Sequence, residues 1–212
     1  MRNMGCEDFS KAMGVKEEMN AEAEITDIQR FSVHDGTGIR TLVFFKGCPL
    51  RCIWCHNPET QRKQPQLFFI ESKCIHCGAC ILACPKQAVS VKGEEIVTDR
   101  TRCVECGECV KVCFSGARKI VGRKYTVEEV IEKVLQDEVF YKYSGGGVTL
   151  SGGDPVAHIE FACELLLRLK QLGIHTAIET CGVCCEEDFT RLLENVDLVL
   201  FDLKHTDTEM HK

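Results

Sequence analysis

The chain has 212 residues and a formal net charge of −6, with 26 Lys and Arg against 32 Asp and Glu. That length suffices for one sizeable core with or without a small extra module, and the acidic balance argues against a nucleic-acid partner, which favours a basic face. The 16 cysteines mostly fall in tight Cys-x2-Cys or Cys-x3-Cys runs that suit bound metal rather than a disulfide framework, and no apolar run reaches the length of a membrane span. With no signal peptide ahead of these runs, the expectation is a reducing, cytoplasmic and oxygen-sensitive protein without a membrane partner.

Residues 1–24 are polar and charged and read as an N-terminal arm, poorly ordered or a short helix, in which Cys6 is incidental. Ile25, Ile28 and Phe31 begin an alternating strand that feeds a turn at Asp35–Arg40, and Thr41–Phe45 is an apolar run that reads as a buried strand. The loop that follows, Gly47-Cys48-Pro49-Leu50-Arg51-Cys52-Ile53-Trp54-Cys55-His56-Asn57, spaces three cysteines by three and then two residues. Three thiolates hold three irons of a 4Fe–4S cube and leave the fourth iron open to a substrate. A zinc site is the bland alternative, but His56, adjacent to Cys55, is poorly placed as a fourth ligand.

A polar linker, Gln61–Gln66, leads into a cysteine-rich module over residues 67–121 that contains an internal repeat. Cys74-x2-Cys77-x2-Cys80-x3-Cys84 recurs as Cys103-x2-Cys106-x2-Cys109-x3-Cys113, with Gly78 aligned to Gly107 and Ala88 to Ala117. The first copy resembles the bacterial two-cluster ferredoxin run, in which the fourth cysteine serves the other cluster. That resemblance implies one cubane on Cys74, Cys77, Cys80 and Cys113, and a second on Cys103, Cys106, Cys109 and Cys84. Phe114 stands where the first copy has Pro85. Two structural zinc sites are the alternative, although Cys-x2-Cys-x2-Cys crowds three ligands more tightly than zinc modules do.

Beyond the module, Thr126–Glu129 spells a capping box, and Val127, Val130, Ile131, Val134 and Leu135 recur at helical spacing. A strand lies between the glycine-rich turns Ser144–Gly147 and Gly152-Gly153-Asp154-Pro155. A helix over residues 156–172 turns Phe161, Leu165, Leu166 and Leu169 inward and stops at Gly173. His175–Thr180 is a further strand, a short helix carries Phe189, Leu192 and Leu193, and a last strand runs from Val196 to Lys204. Cys163 reads as core, and Cys181, Cys184 and Cys185 as ordinary thiols. Alternating strands and helices imply a parallel α/β sheet with right-handed crossovers. Chemistry in such a sheet gathers at the C-terminal strand ends, here the cysteine loop, Gly152–Asp154, Glu179-Thr180 and Asp202–Lys204.

The Cys48-x3-Cys52-x2-Cys55 loop after the first parallel strand resembles the radical S-adenosylmethionine (SAM) superfamily. Its flanks, Phe31–Arg40, Phe44–Cys48, Trp54–Glu59 and Ser144–Thr149, resemble the activating enzymes of glycyl radical enzymes, of the pyruvate formate-lyase activating enzyme type. Thr37 departs from the proline usual there. The resemblance implies a partial (β/α) barrel of the radical SAM type over residues 25–66 and 122–212, with about four of six strands, and a ferredoxin-like α+β insert over 67–121. A C-terminally truncated chain is therefore expected, with an apolar edge near Val196–Leu203.

The same resemblance implies a SAM-binding cluster on Cys48, Cys52 and Cys55, with Trp54 and His56 near the adenine. Gly152, Gly153 and Asp154 would meet the SAM amino group, Asp154 being one methylene shorter than the family's Glu. Asp202, Leu203 and Lys204 would face SAM, with Lys204 at its carboxylate, and Thr180, Asp202 and Glu179 would line a monovalent cation site. Implied cofactors are three 4Fe–4S clusters, SAM and that cation. The implied activity is reductive cleavage of SAM to a 5′-deoxyadenosyl radical that takes hydrogen from a glycine of a partner lyase, dehydratase or decarboxylase, with flavodoxin or ferredoxin as reductant. The alternatives are a radical SAM enzyme acting on a small molecule, and an iron–sulfur electron carrier with an incomplete barrel.

Overall fold

The computed structural model describes residues 21–207, so most of the expected arm, with Cys6, lies outside the described residues. Strand β1 (Glu22–Ser32) starts three residues before the alternation at Ile25 suggests, because Ala23 and Ile25 are both buried on one face. The alternation breaks at a bulge between Gln29 and Ser32, where Phe31 takes φ 62° and is half exposed against the edge of Phe140. Strand β2 (Arg40–Phe45) is buried almost throughout, as a strand covered on both faces must be.

The cysteine-rich segment follows. It comprises β3 (Gln66–Phe69), α1 (Ala79–Leu82), β4 (Val89–Lys92), β5 (Glu95–Thr98), α2 (Glu108–Lys111) and β6 (Arg118–Val121). Antiparallel pairing of Gln66 with Val121 brings its entry and exit together, and β4 pairs with β5. The sequence repeat is also a backbone repeat. His76 and Glu105 both have φ near +55°, Gly78 and Gly107 are both left-handed at the start of a short helix, and Ala88 and Ala117 are both buried.

The scaffold resumes with β7 (Arg123–Thr126), α3 (Val127–Leu135), α4 (Glu138–Ser144), β8 (Gly147–Gly152), α5 (Ile159–Gln171), β9 (His175–Thr180), α6 (Glu186–Leu193) and β10 (Leu198–Phe201). The sheet order is β10-β9-β8-β2-β1-β7; the four strands from β10 to β2 are parallel, and β1 and β7 add antiparallel. The capping box forms: Glu129 N–H donates to Thr126 Oγ1 at 3.2 Å and Thr126 N–H donates to Glu129 Oε2 at 2.9 Å. Leu135, expected on the inner face of α3, is instead 38 % exposed, and the helix expected from residue 156 opens as a 3-10 turn over Pro155–His158. Strand β10 is shorter than expected and pairs only with β9, leaving Phe201 54 % exposed.

Period-two alternation gives the parallel strands two different faces. Val43, Phe45, Val148, Leu150 and Ile178 pack under α3 and α5, against Val130, Val134, Leu165, Leu166 and Leu169. The intervening residues put Arg40, Thr149, Ser151 and Glu179 on the opposite face. Arg40 is fully buried there: Nε donates to Thr149 Oγ1 at 2.6 Å and Nη2 to Val148 O at 2.7 Å, while Nη1 reaches Thr37 O at 3.2 Å. It thereby ties the Asp35–Gly38 turn to the sheet. Of the glycine pair before β8, Gly146 has a steric cause, since a Cβ there would lie 1.9 Å from Ile39 O, and Gly145 a conformational one, its φ being +68°.

One buried carboxylate links the scaffold elements. Asp137 accepts from Arg30 Nε at 2.8 Å, from Arg30 Nη2, and from Thr41 Oγ1 at 2.9 Å; Tyr141 OH in turn donates to Thr41 Oγ1 at 2.6 Å. The Arg30 hydrogen bonds hold the Asp137 carboxyl below the usual carboxylate range. A lowered folded-state value adds stability that is fully present above the unfolded value, near ~4, and lost as pH falls through the folded value. The stability gap between wild type and Asp137→Asn is therefore expected to narrow as pH drops from neutrality below ~4. Urea unfolding at each pH measures it; a constant gap would contradict the assignment.

Candidate active site and cysteine-lined cavities

Backbone hydrogen bonds stitch the ends of the parallel strands in two pairs, β2 with β8 and β9 with β10. Gly153 N–H donates to Phe45 O at 2.9 Å, Asp154 N–H to Gly47 O at 2.8 Å, and Asp202 N–H to Thr180 O at 2.9 Å. The β8 end lies so close to the cysteine loop that a Cβ on Gly153 would be 2.1 Å from Gly47 O; only glycine fits. Lys46, fully buried, anchors the other side of the loop. Its Nζ donates to Glu59 O at 2.6 Å and to Gln66 Oε1 at 2.9 Å, and His158 Nε2 donates to Lys46 O at 2.7 Å.

Cys48, Cys52 and Cys55 are half-buried on this loop, and Trp54 and His56 are exposed beside them. Contact with the Cys181 thiol brings the Cys48 thiol down to about 7, within reach of the thiolate form that binds iron. The loop holds no fourth cysteine, and Cys181, buried at the end of β9, has one proton to offer either Cys48 or Asp154 Oδ2 at 3.0 Å. Three thiols on the rim, with a fourth close by but outside the loop, fit a cluster with one open iron.

The Asp154 side chain is turned inward. Its carboxylate is 1 % exposed and accepts from Thr180 Oγ1 at 2.9 Å, Cys181 N–H at 2.8 Å, the Cys181 thiol, and Val156 N–H at 3.1 Å. It fastens the β9 end to the β8 end from within and turns no oxygen to the rim, so only the backbone of Gly152–Asp154 faces a ligand there. The Thr180 hydroxyl is used in the same knot, donating to Asp154 and accepting from Gly182 N–H at 3.0 Å. It lies on the strand face opposite Glu179.

Glu179 has different company. Its carboxyl accepts from the Ser151 hydroxyl, and burial first, then the nearby Asp35 and Asp202, push it above the usual range. Asp35, in turn, accepts from Ser32 Oγ at 2.5 Å. The sequence reading named Glu179 and Asp202 but missed Asp35 and Ser151; the only signal was the Asp35–Arg40 turn feeding the first parallel strand. Asp202 pairs with Lys204 on an exposed rim, and Leu203 between them is 64 % exposed.

In the cysteine-rich segment the eight thiols face two open cavities. One is lined by Cys84, Cys103, Cys106 and Cys109, the other by Cys74, Cys77, Cys80 and Cys113. In each, the fourth cysteine comes from the other copy of the repeat. Among the described residues no three His, Cys, Asp or Glu side chains converge on a single-ion site; the thiols surround space instead.

The site is thus a three-cysteine loop at the end of a central parallel strand, on a rim of neighbouring strand ends. Residues 42–212 match the family model of the radical SAM superfamily. The chain is 49 % identical over 189 residues to the trans-4-hydroxy-L-proline dehydratase activating enzyme of Clostridioides difficile, a match covering 88 % of this chain and 62 % of that protein. It is 46 % identical to the choline trimethylamine-lyase activating enzyme of Oleidesulfovibrio alaskensis over 90 % of this chain and 62 % of the relative, and 48 % identical to the benzylsuccinate synthase activating enzyme of Thauera aromatica over 88 % and 58 %. The chain belongs to the radical SAM superfamily, and it spans about three fifths of the length of these relatives. The family implies a 4Fe–4S cluster and SAM. Among the described residues no helix is long and apolar enough to cross a membrane.

Proposed function

We propose that this chain is the core of a glycyl radical enzyme activase. The observation that carries this is the placing of the Cys48–Cys55 loop on one rim with the ends of β8, β9 and β10, held together by backbone hydrogen bonds and by the Asp154 carboxylate. When bound there, a 4Fe–4S cluster supplies the electron that cleaves SAM to methionine and a 5′-deoxyadenosyl radical, which takes a hydrogen atom from a glycine of the partner.

Within that reading, Cys48, Cys52 and Cys55 hold the cluster. The Gly152-Gly153 backbone accepts from the SAM ammonium at close range, Lys204 meets its carboxylate, and Trp54 and His56 border the adenine. Asp154 and Thr180 act one layer deeper by fixing the β8 and β9 ends. A monovalent cation would find its carboxylates at Glu179 and Asp202, with Asp35 beside them. Residues 67–121 form a ferredoxin-like insert holding two further cubanes, since thiols that line cavities in crossed sets of four suit cubanes better than single ions. Residues 25–66 and 122–207 then form part of a (β/α) barrel. The partner is a glycyl radical enzyme of lyase, dehydratase, decarboxylase or synthase type, the reductant a flavodoxin or ferredoxin, and the location the cytoplasm.

The test is anaerobic. The chain, reconstituted with iron and sulfide, is mixed with dithionite and SAM, with and without a glycyl radical enzyme encoded beside it. Expected are 5′-deoxyadenosine in both samples and a glycyl radical in the electron paramagnetic resonance spectrum of the second. SAM cleavage that never yields a glycyl radical would favour a small-molecule substrate. Reducible clusters without SAM cleavage would favour an electron carrier.

A further inference from the structure

Arg118, at the start of β6, is 2 % exposed, and no carboxylate pairs with it among the described residues. Nη1 donates to Thr98 Oγ1 at 3.0 Å and the guanidinium lies 4.8 Å from the centre of the Phe69 ring. Nε and Nη2 are buried without a hydrogen-bond partner. Burying an unpaired guanidinium costs several kcal/mol, and an orphaned buried donor calls for a ligand that satisfies it. Arg118 lines the cavity of Cys74, Cys77, Cys80 and Cys113. Four thiolates and a cubane placed there carry net negative charge, which is what these N–H groups lack.

The other cavity lacks this device. Its lining contains no arginine and no buried cation, since Lys86 there is exposed, and the position that the internal repeat aligns with Arg118 is Val89, buried in that lining. The two halves thus match in their cysteines, in Gly78 and Gly107 and in Ala88 and Ala117, and differ by a buried cation against an isopropyl group one residue later.

We propose that Arg118 donates hydrogen bonds to the cluster held by Cys74, Cys77, Cys80 and Cys113, and sets it at a higher reduction potential than the cluster in the Val89 half. The inference rests on reading residues 67–121 as a two-cluster insert. One-electron reduction adds a negative charge to the cluster and its thiolates. Hydrogen bonds to sulfur and a nearby cation stabilise the more negative state, and both raise the potential. In the Val89 half the added charge meets an isopropyl group at the matching position, and the only charged residues of that lining, Lys86 and Glu105, are of opposite sign. The electron donor is the external reductant, so the segment takes up its first electron on the Arg118 side.

The experiment is a dithionite titration of the full reconstituted chain followed by electron paramagnetic resonance, on wild type, Arg118→Met and Arg118→Lys. Wild type should reduce its two insert clusters in separate steps. Arg118→Met should make one of them at least tenfold harder to reduce, a shift of about 59 mV for one electron, and move the other by clearly less, since Arg118 reaches Cys109 of that set only through its charge. Arg118→Lys, which keeps the charge but not the fork, should fall between. An unmoved midpoint in Arg118→Met at full iron content overturns the proposal, as does a single step for both clusters in wild type. If Arg118→Met loses iron, the wild-type titration and Arg118→Lys decide. A wild-type chain that binds only about four irons would instead overturn the two-cluster reading itself.

Discussion

Replacing Cys52 with alanine is expected to reduce 5′-deoxyadenosine formation to the level of the protein-free control, while the chain still binds about eight of about twelve irons. The expectation follows from how Cys52 sits. It is half-buried, and its carbonyl, not its thiol, carries its hydrogen bonds, from Cys55 N–H at 3.2 Å and from Gln61 Nε2 at 3.3 Å. Losing the sulfur therefore leaves the loop's backbone intact and removes only an iron ligand. Stability without iron should change by no more than about 0.5 kcal/mol. Iron analysis, urea unfolding and product quantification separate the three effects. Product retained at wild-type rate would remove the Cys48–Cys55 loop from the chemistry, and a collapse of iron to zero would mean that the insert does not hold its clusters independently.

The parts of this fold that sequence made legible are those where local pattern and tertiary demand agree. The run Thr41–Phe45 is buried on both faces, so it reads as a core strand without ambiguity, and the Thr126–Glu129 box forms because both of its hydrogen bonds are local. The cysteine repeat is equally transparent, because a 29-residue offset links Cys74 with Cys103, Gly78 with Gly107 and Ala88 with Ala117. What stayed hidden depends on partners far away in sequence. Helix α4, Glu-Val-Phe-Tyr-Lys-Tyr-Ser, buries only Tyr141, whose hydroxyl reaches Thr41 a hundred residues earlier. Buried charge is hidden for the same reason. Arg40 and Lys46 look like surface residues in any composition count, and each is buried because distant carbonyls, hydroxyls or amides take its donors. Asp35 belongs beside Glu179 only because the sheet brings β9 against the turn before β2.

Asp154→Ala should lower the stability of the ligand-free chain by about 3 kcal/mol, because the substitution leaves buried donors unsatisfied and removes bonds to a charged acceptor, each worth ~1.5–3 kcal/mol. The carboxylate accepts from the Cys181 N–H and thiol, from Thr180 Oγ1 and from Val156 N–H, and it is 1 % exposed, so water cannot replace it without the strand ends parting. Asp154→Asn should cost less, since one oxygen still accepts, but its amide would turn a donor toward one of the donors that the carboxylate satisfies. Asp154→Glu tests the opposite error: the extra methylene must enter a packed site, at a cost of about 1–3 kcal/mol. Urea unfolding of the iron-free and SAM-free chain measures all three. This is also the measurement that separates two roles for the segment. A side chain that serves bound SAM would leave the ligand-free stability unchanged and show its loss only in SAM affinity. A carboxylate that fastens β8 to β9 costs stability with no ligand present, and it weakens SAM binding only indirectly, by loosening the Gly152-Gly153 backbone that faces the rim.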